Sequence, residues 1–305
     1  CRITRWACYA LLADLYLWKG DWQKCIDCCD MVINQKIKEY EKEYEENPTT
    51  MTVELYDIYP LISESLSNSN YAGNAYTEIF GAGNSFESIF ELNFVNNQSV
   101  ANNTVSSFYG SSSNKTGQIG APTFLYSDAY AGLNDYFAKT DCRYLENMSE
   151  SNNKIYISKY VNQSVSFRTS TTTGAAPTVN GEVRSSAYAN WIIYRLTDVM
   201  LMRAEAEIAL AGNVEEGMTL TEEQLQHYRN AFSCISAVWK RANNKRTSST
   251  GLLVFDEYAT SRLAMEELLF AERQRELMFE GKRWFDLVRI SRRDGENTRL
   301  INKVL

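Results

Sequence analysis

Two stretches of this chain, far apart in sequence, repeat one physical pattern: apolar residues at helical spacing, a Gly-Asp or Gly-Asn break, then a second helical run. The first covers residues 1–46. Trp6, Tyr9, Leu12, Leu15 and Tyr16 fall along a helix, Gly20-Asp21 interrupts it, and Asp21 is placed to cap a helix running from Trp22 towards Glu46. The second covers Tyr194 to Leu210, a break at Gly212-Asn213, and a return from Thr221 to Asn243 with Leu225, Tyr228, Phe232, Ile235 and Trp239 on one face. An apolar stripe must be buried against another element, so the chain is committed to helical hairpins. Two hairpins are fewer than a free-standing solenoid needs, and other helices must cover them.

Composition agrees. Only 4 prolines and 15 glycines punctuate 305 residues, which favours long helices over many short strands. A formal charge of −7 argues against a phosphate-backbone binder, so nucleic acid is not an expected partner. No apolar run approaches the ~18 residues of a membrane-spanning helix, and the first residues lack the order of a signal peptide. Cys1 lacks the flexible linker that a lipid-bearing cysteine needs, because a helical pattern starts at once. The chain is therefore expected to begin partway through a larger protein. The string Ala-Asp-Leu-Tyr-Leu-Trp-Lys-Gly-Asp-Trp-Gln-Lys-Cys (13–25) resembles the turn of a tetratricopeptide repeat, with Tyr16 packing across the hairpin and Cys25 where the helices approach.

Between the hairpins the character changes. Residues 87–94 and 154–161 read as short strands, while 96–120 and 162–186 read as long Asn/Ser/Thr/Gly-rich connections, costly in a compact domain unless they serve a purpose. Their Asn-x-Ser/Thr triplets read as bacterial loops rather than glycosylation acceptors.

Several chemistries are poorly supplied. The lone histidine, His227, has no carboxylate or serine motif beside it and reads as a surface or packing residue. Cys25, Cys28 and Cys29 share one helix and Cys8 could face them, but without paired knuckles or a nearby histidine they read as small residues at tight contacts rather than a zinc site. No 12-residue calcium-loop pattern is present. Neither a metal nor a cofactor is expected. Near the C-terminus, Ser261 to Glu280 reads as a helix closed by Gly281, followed by a short helix from Arg283 to Ile290 with Trp284, Phe285 and Leu287 available to the core. Leu263, Leu268, Leu269, Leu277 and Phe279 supply the first helix's apolar residues. Glu272, Glu276, Glu280 and Asp286 could suggest paired catalytic acids, but they alternate with Arg273, Arg275 and Arg283. Arg273–Glu276 and Glu280–Arg283 at i,i+3 spacing read as structural ion pairs.

The segment Glu272-Arg-Gln-Arg-Glu-Leu-Met-Phe-Glu-Gly-Lys-Arg-Trp-Phe-Asp-Leu-Val-Arg289 resembles the C-terminal signature of the SusD/RagB family of outer-membrane nutrient-binding lipoproteins. Tyr194-Arg-Leu-Thr-Asp-Val-Met-Leu-Met-Arg-Ala-Glu-Ala206 is similar to the family's penultimate helical block, and the opening hairpin to an internal tetratricopeptide-type unit. Members usually carry a lipobox cysteine and an N-terminal helical region, which this sequence does not show. The resemblance implies an all-α fold of tetratricopeptide-like hairpins with long loop excursions and a small β element. It also implies a single domain over 1–305, with a hairpin (1–46), a loop-rich ligand-binding excursion (87–186) and a C-terminal helical region (187–305). Functionally it implies a cell-surface binding protein, not an enzyme. Such a protein captures an oligosaccharide or polysaccharide for a SusC-like TonB-dependent outer-membrane transporter and is held at the membrane by an N-terminal lipid anchor.

A neutral sugar presents C–H groups on its ring faces and hydroxyls at its edge, so its binder needs flat aromatic platforms beside amides or carboxylates. Phe108-Tyr109 stand in an Asn/Ser-rich loop, and residues 124–136 place Tyr126, Tyr130 and Tyr136 close to Asp128, Asn134 and Asp135, with Phe124 assigned to the core. Tyr109, Tyr130, Tyr136 and Asn134 are the expected ligand-binding group. Two other classes compete. A helical-repeat scaffold that binds proteins would ignore sugars, and an all-α glycoside hydrolase would release reducing sugar until Glu276→Gln abolished it.

Overall fold

The computed structural model describes residues 3–66, 70–72, 74–95, 100–125, 141–168, 178–243 and 252–304. Both hairpins form where the breaks fall. The first joins helices Arg5–Lys19 and Trp22–Glu46 through Gly20, whose φ of +77° an L side chain would resist. Ala7, Ala10 and Ala13, spaced by three, are all buried, so that face of the helix is kept small where neighbours approach. The second joins helices Leu196–Leu210 and Glu222–Ala242. The return helix opens on a reciprocal cap: Thr221 Oγ1 accepts from the Gln224 amide at 3.2 Å, and Gln224 Oε1 accepts from the Thr221 amide at 3.1 Å. Tyr194, expected to start the outgoing helix, instead belongs to strand Trp191–Arg195.

The chain divides into two compact units. One comprises residues 5–34, 197–236 and 254–305, and its described residues are helical with no strand. Ser261 Oγ caps helix Arg262–Glu276 by accepting from the Ala264 amide at 3.1 Å. That helix stops four residues before the expected Glu280, because Phe279 already sits at positive φ (64°), two residues ahead of Gly281 (79°). Helix Arg283–Asp294 turns Asp286, Leu287, Arg289 and Ile290 inward. Trp284 and Phe285, expected in the core, are each 57% exposed, since the inward positions are taken by Asp286, Leu287, Arg289 and Ile290. Leu263, one of the apolar residues of helix Arg262–Glu276, is exposed.

The other unit comprises residues 35–196 and 237–253, with residues 1–4. Its described residues form four small sheets, all antiparallel. The two expected strands are present as Ser88–Leu92 and Lys154–Ile157. The Ser/Thr-rich stretch 162–186, expected to be a connection, also pairs Asn162–Arg168 with Thr178–Val183. Val165 of that pair is buried in a cluster with Tyr76, Phe80, Val105 and Tyr160. The polar stretch 96–120, expected to be a loop, includes helix Asn103–Phe108. The architecture is thus the helical-hairpin fold with short strands, the strands being more numerous than periodicity alone indicated.

Candidate functional site

Of the four expected ligand-binding residues, Tyr109 lies among the described residues, whereas Tyr130, Asn134 and Tyr136 lie outside them, as do Tyr126, Asp128, Asp135 and the side chain of Phe124. Tyr109 is positioned by a chain of local capping. Asn102 accepts from the Val105 amide through Oδ1 (3.3 Å), starting helix Asn103–Phe108, and donates from Nδ2 to the Ala189 carbonyl (2.9 Å). At the other end, Tyr109 is in extended conformation, its amide closing on Val105 O at 2.9 Å. Gly110 then donates to Ile157 O at 3.0 Å.

The loop that follows is folded back on itself. Gln118 and Ile119 amides donate to Ser107 and Phe108 carbonyls, and Asn114 Oδ1 accepts from the amides of Ser111 (2.9 Å) and Thr116 (3.2 Å). Gly110 and Gly117 sit where the two limbs of this loop touch. A Cβ on Gly110 would lie 1.7 Å from Thr116 O.

These segments enclose one side of a cavity of about 140 Å³. Asn102, Val105, Tyr160, Val161 and Ala189 are its buried lining residues, and Ser106, Asn114, Thr116 and Ser186 its exposed ones. Tyr109 lines it while also packing against the apolar cluster. Tyr160 is held in a left-handed conformation (φ 67°), its ring stacked on Trp191 (5.0 Å, 22°) and edge-on to Phe80 (5.1 Å, 81°). Arg184 completes the lining. Its Nε donates to Tyr160 O at 3.3 Å, its Nη2 donates to the carbonyls of Phe80 and Gly81, and its guanidinium lies 4.8 Å from the Tyr188 ring centre. Sequence reasoning missed Arg184, Asn114 and Thr116. Their only signal was membership of polar connections, which does not say which polar groups converge.

Other candidate chemistries resolve differently. Cys8 is exposed and does not join Cys25, Cys28 and Cys29, which are buried and free. Cys25 Sγ instead lies 4.0 Å from Met202 O. His227 does have a carboxylate beside it: Nδ1 is 2.5 Å from Glu207 Oε2, supplied by the other helix of its hairpin. Arg273 pairs across to Asp286 and Asp198 rather than along its helix to Glu276.

Among the described residues, one group has metal-ligand spacing: Glu64, Cys142 and Glu146, with ligand atoms within 4.8 Å of one another and all three buried. A structural zinc site closes with four donors, and no fourth side chain joins the three among the described residues. The arrangement fits a carboxyl that keeps its proton. Burial pushes the Glu64 pKa well up, and the neighbouring Glu146 adds to this more than Arg241 offsets. The stability this group contributes is fully present below its unfolded value of 4.5 and is lost as pH rises through the raised folded value. Glu64→Gln is expected to remove that slope and to be more stable than the parent at pH 8 by about 1 kcal/mol or more. Urea unfolding from pH 5 to 8 checks this, and parallel pH profiles for the two proteins would refute it.

The fold and this site define a class: a helical-hairpin protein with a ring-sized cavity built from polar loops. The SusD family model matches residues 86–304, and the chain belongs to the SusD family. Among solved structures, a SusD superfamily protein from Bacteroides vulgatus ATCC 8482 is similar at a TM-score of 0.51 and 18% identity, over 98% of this chain and 55% of that one. One from Bacteroides thetaiotaomicron VPI-5482 aligns at 0.51 and 16% identity, over 98% and 52%. A laminarin-binding SusD-like protein aligns at 0.52 and 19% identity, over 100% and 57%. The chain therefore spans a little over half the length of these structures. No curated protein matches it.

Proposed function

We propose that this chain binds oligosaccharides or polysaccharides without turning them over. It does so at the outer face of the cell outer membrane, delivering them to a SusC-like TonB-dependent transporter, with a lipid anchor in the full-length protein. The observation that carries the reading is the Tyr109 cavity in a chain of the SusD family. An aromatic face beside fixed amides is what a pyranose ring and its hydroxyls require. The fold shared with a laminarin-binding SusD-like protein supports the ligand class. Binding rather than hydrolysis is favoured because Asp286, one of the acids in the C-terminal signature, is spent on Arg273 and Arg289. No helix among the described residues is long and apolar enough to cross a membrane, which is compatible with attachment by lipid.

Calorimetry against a broad oligosaccharide panel tests the reading. Saturable binding is expected, with no reducing sugar released, and Tyr109→Ala is expected to weaken it about tenfold, or about 1.4 kcal/mol. Tyr109→Phe, which keeps the ring, should retain most of the affinity. Absence of binding across the panel would remove the ligand class.

A further inference from the structure

Among the described residues that line the Tyr109 cavity, one side chain is charged, Arg184, and none is a carboxylate. The protein contacts of that guanidinium are three backbone carbonyls and an aromatic face. Carbonyls hold it in place but carry only partial charge, so the cation is oriented without being neutralised. Its Nη1 protons meet no protein acceptor among the described residues. Asn114 adds to the pattern: its Oδ1 is used by the Ser111 and Thr116 amides, which leaves Nδ2 as a donor at the exposed edge. Beside the hydroxyls of Ser106, Thr116 and Ser186, which both donate and accept, the charged and amide groups left over are donors. Hydroxyls of a neutral sugar need both donors and acceptors, whereas a carboxylate needs donors only and binds a guanidinium with charge assistance.

The volume, about 140 Å³, is close to that of a cavity of roughly 150 Å³ that accepts one benzene-sized ring. Building on the glycan-binding reading above, we propose that this cavity takes the carboxylate-bearing ring of an acidic sugar, a uronic acid unit, with Arg184 facing the carboxylate and Tyr109 beside the ring. The formal charge of −7 disfavours a general attraction for polyanions, so recognition falls on a single carboxylate at this cavity.

The test is calorimetry of the purified chain with short galacturonate, glucuronate and mannuronate oligomers, their methyl esters, and neutral glucan oligomers, at low and high salt. At least one acid is expected to bind tenfold or more tightly than its own ester, with the gap narrowing as salt rises. Arg184→Gln should erase that preference. Because Arg184 also ties down the Phe80 and Gly81 carbonyls, its variant needs a thermal melt beside it; the acid-to-ester ratio of the parent protein decides the matter even if the variant does not fold. Equal affinity for acid and ester, or binding of neutral glucans alone, overturns the uronate assignment while glycan binding stands. A folded Arg184→Gln that keeps the preference also overturns it. Silence from every sugar removes both.

Discussion

Asp286→Asn is expected to destabilise the protein by about 3–5 kcal/mol, because it strips a buried charge from between two buried guanidiniums. Asp286 Oδ1 accepts from Arg273 Nη2 at 2.9 Å and from Arg289 Nη2 at 2.8 Å, and Oδ2 accepts from Arg273 Nε at 3.0 Å. Arg289 also forks onto Glu205 (2.9 and 2.6 Å), Arg273 reaches Asp198 (3.2 Å), and Lys282 pairs with the other oxygen of Asp198 (2.9 Å). Three cations thus face three anions, and all but Lys282 are almost wholly buried. Removing one negative charge leaves a net positive charge out of water and turns an amide NH2 towards at least one guanidinium donor. The same network sets an acid limit. Burial alone would raise the Asp286 pKa, but Arg273 and Arg289 outweigh it and hold it below its ordinary value of 3.8. The stability it contributes is therefore present above pH 3.8 and lost as pH falls through the lowered folded value. Urea unfolding at pH 7 measures the first effect. A loss under about 1 kcal/mol would mean that the network only replaces hydration. Combining Asp286→Asn with Arg273→Met should recover part of the loss, since the orphaned cation is then removed as well.

The second large effect is expected from Gly110→Ala. The added methyl carbon would stand 1.7 Å from Thr116 O and 2.4 Å from Thr116 C, both backbone atoms that cannot rotate away. Across the contact, Gly117 has φ of 95°, and a Cβ there would meet Tyr109 C at 2.7 Å. The two limbs of the loop can meet only because neither carries a side chain at the crossing. Forcing them apart displaces Tyr109 on one limb and Asn114 and Thr116 on the other, all of which line the cavity. The expected result is a loss of about 3 kcal/mol in stability and a loss of glycan affinity larger than that of Tyr109→Ala. Ser113→Ala, exposed in the same loop, should change stability by less than about 0.5 kcal/mol. If Gly110→Ala binds sugar as the parent does, the cavity is not the binding site.

Helical spacing, helix breaks and helix starts were legible because they are local. Gly20, the Thr221–Gln224 pair and Ser261 each act within one turn, and the structure places helix ends at or beside them. The strand pair within 162–183 was not legible, because its partners are separated in sequence, Arg168 opposite Thr178, and its apolar content is sparse. The candidate site was legible in part: the aromatic in a polar loop, Tyr109, could be named, but Arg184 could not. That arginine comes from residues some 75 positions later and acquires meaning only from the carbonyls and rings around it.

By itself the amino-acid sequence determined that this chain makes helical hairpins with polar excursions, and its C-terminal string determined the family. Only the tertiary structure decided that Arg273 answers Asp286 and Asp198 instead of Glu276, that Trp284 and Phe285 face outward, and that His227 has a carboxylate beside it. The physical reason is one of range. Backbone hydrogen bonding repeats every few residues and leaves its period in the sequence, whereas burial and charge compensation are settled between elements whose relative register no local spacing records.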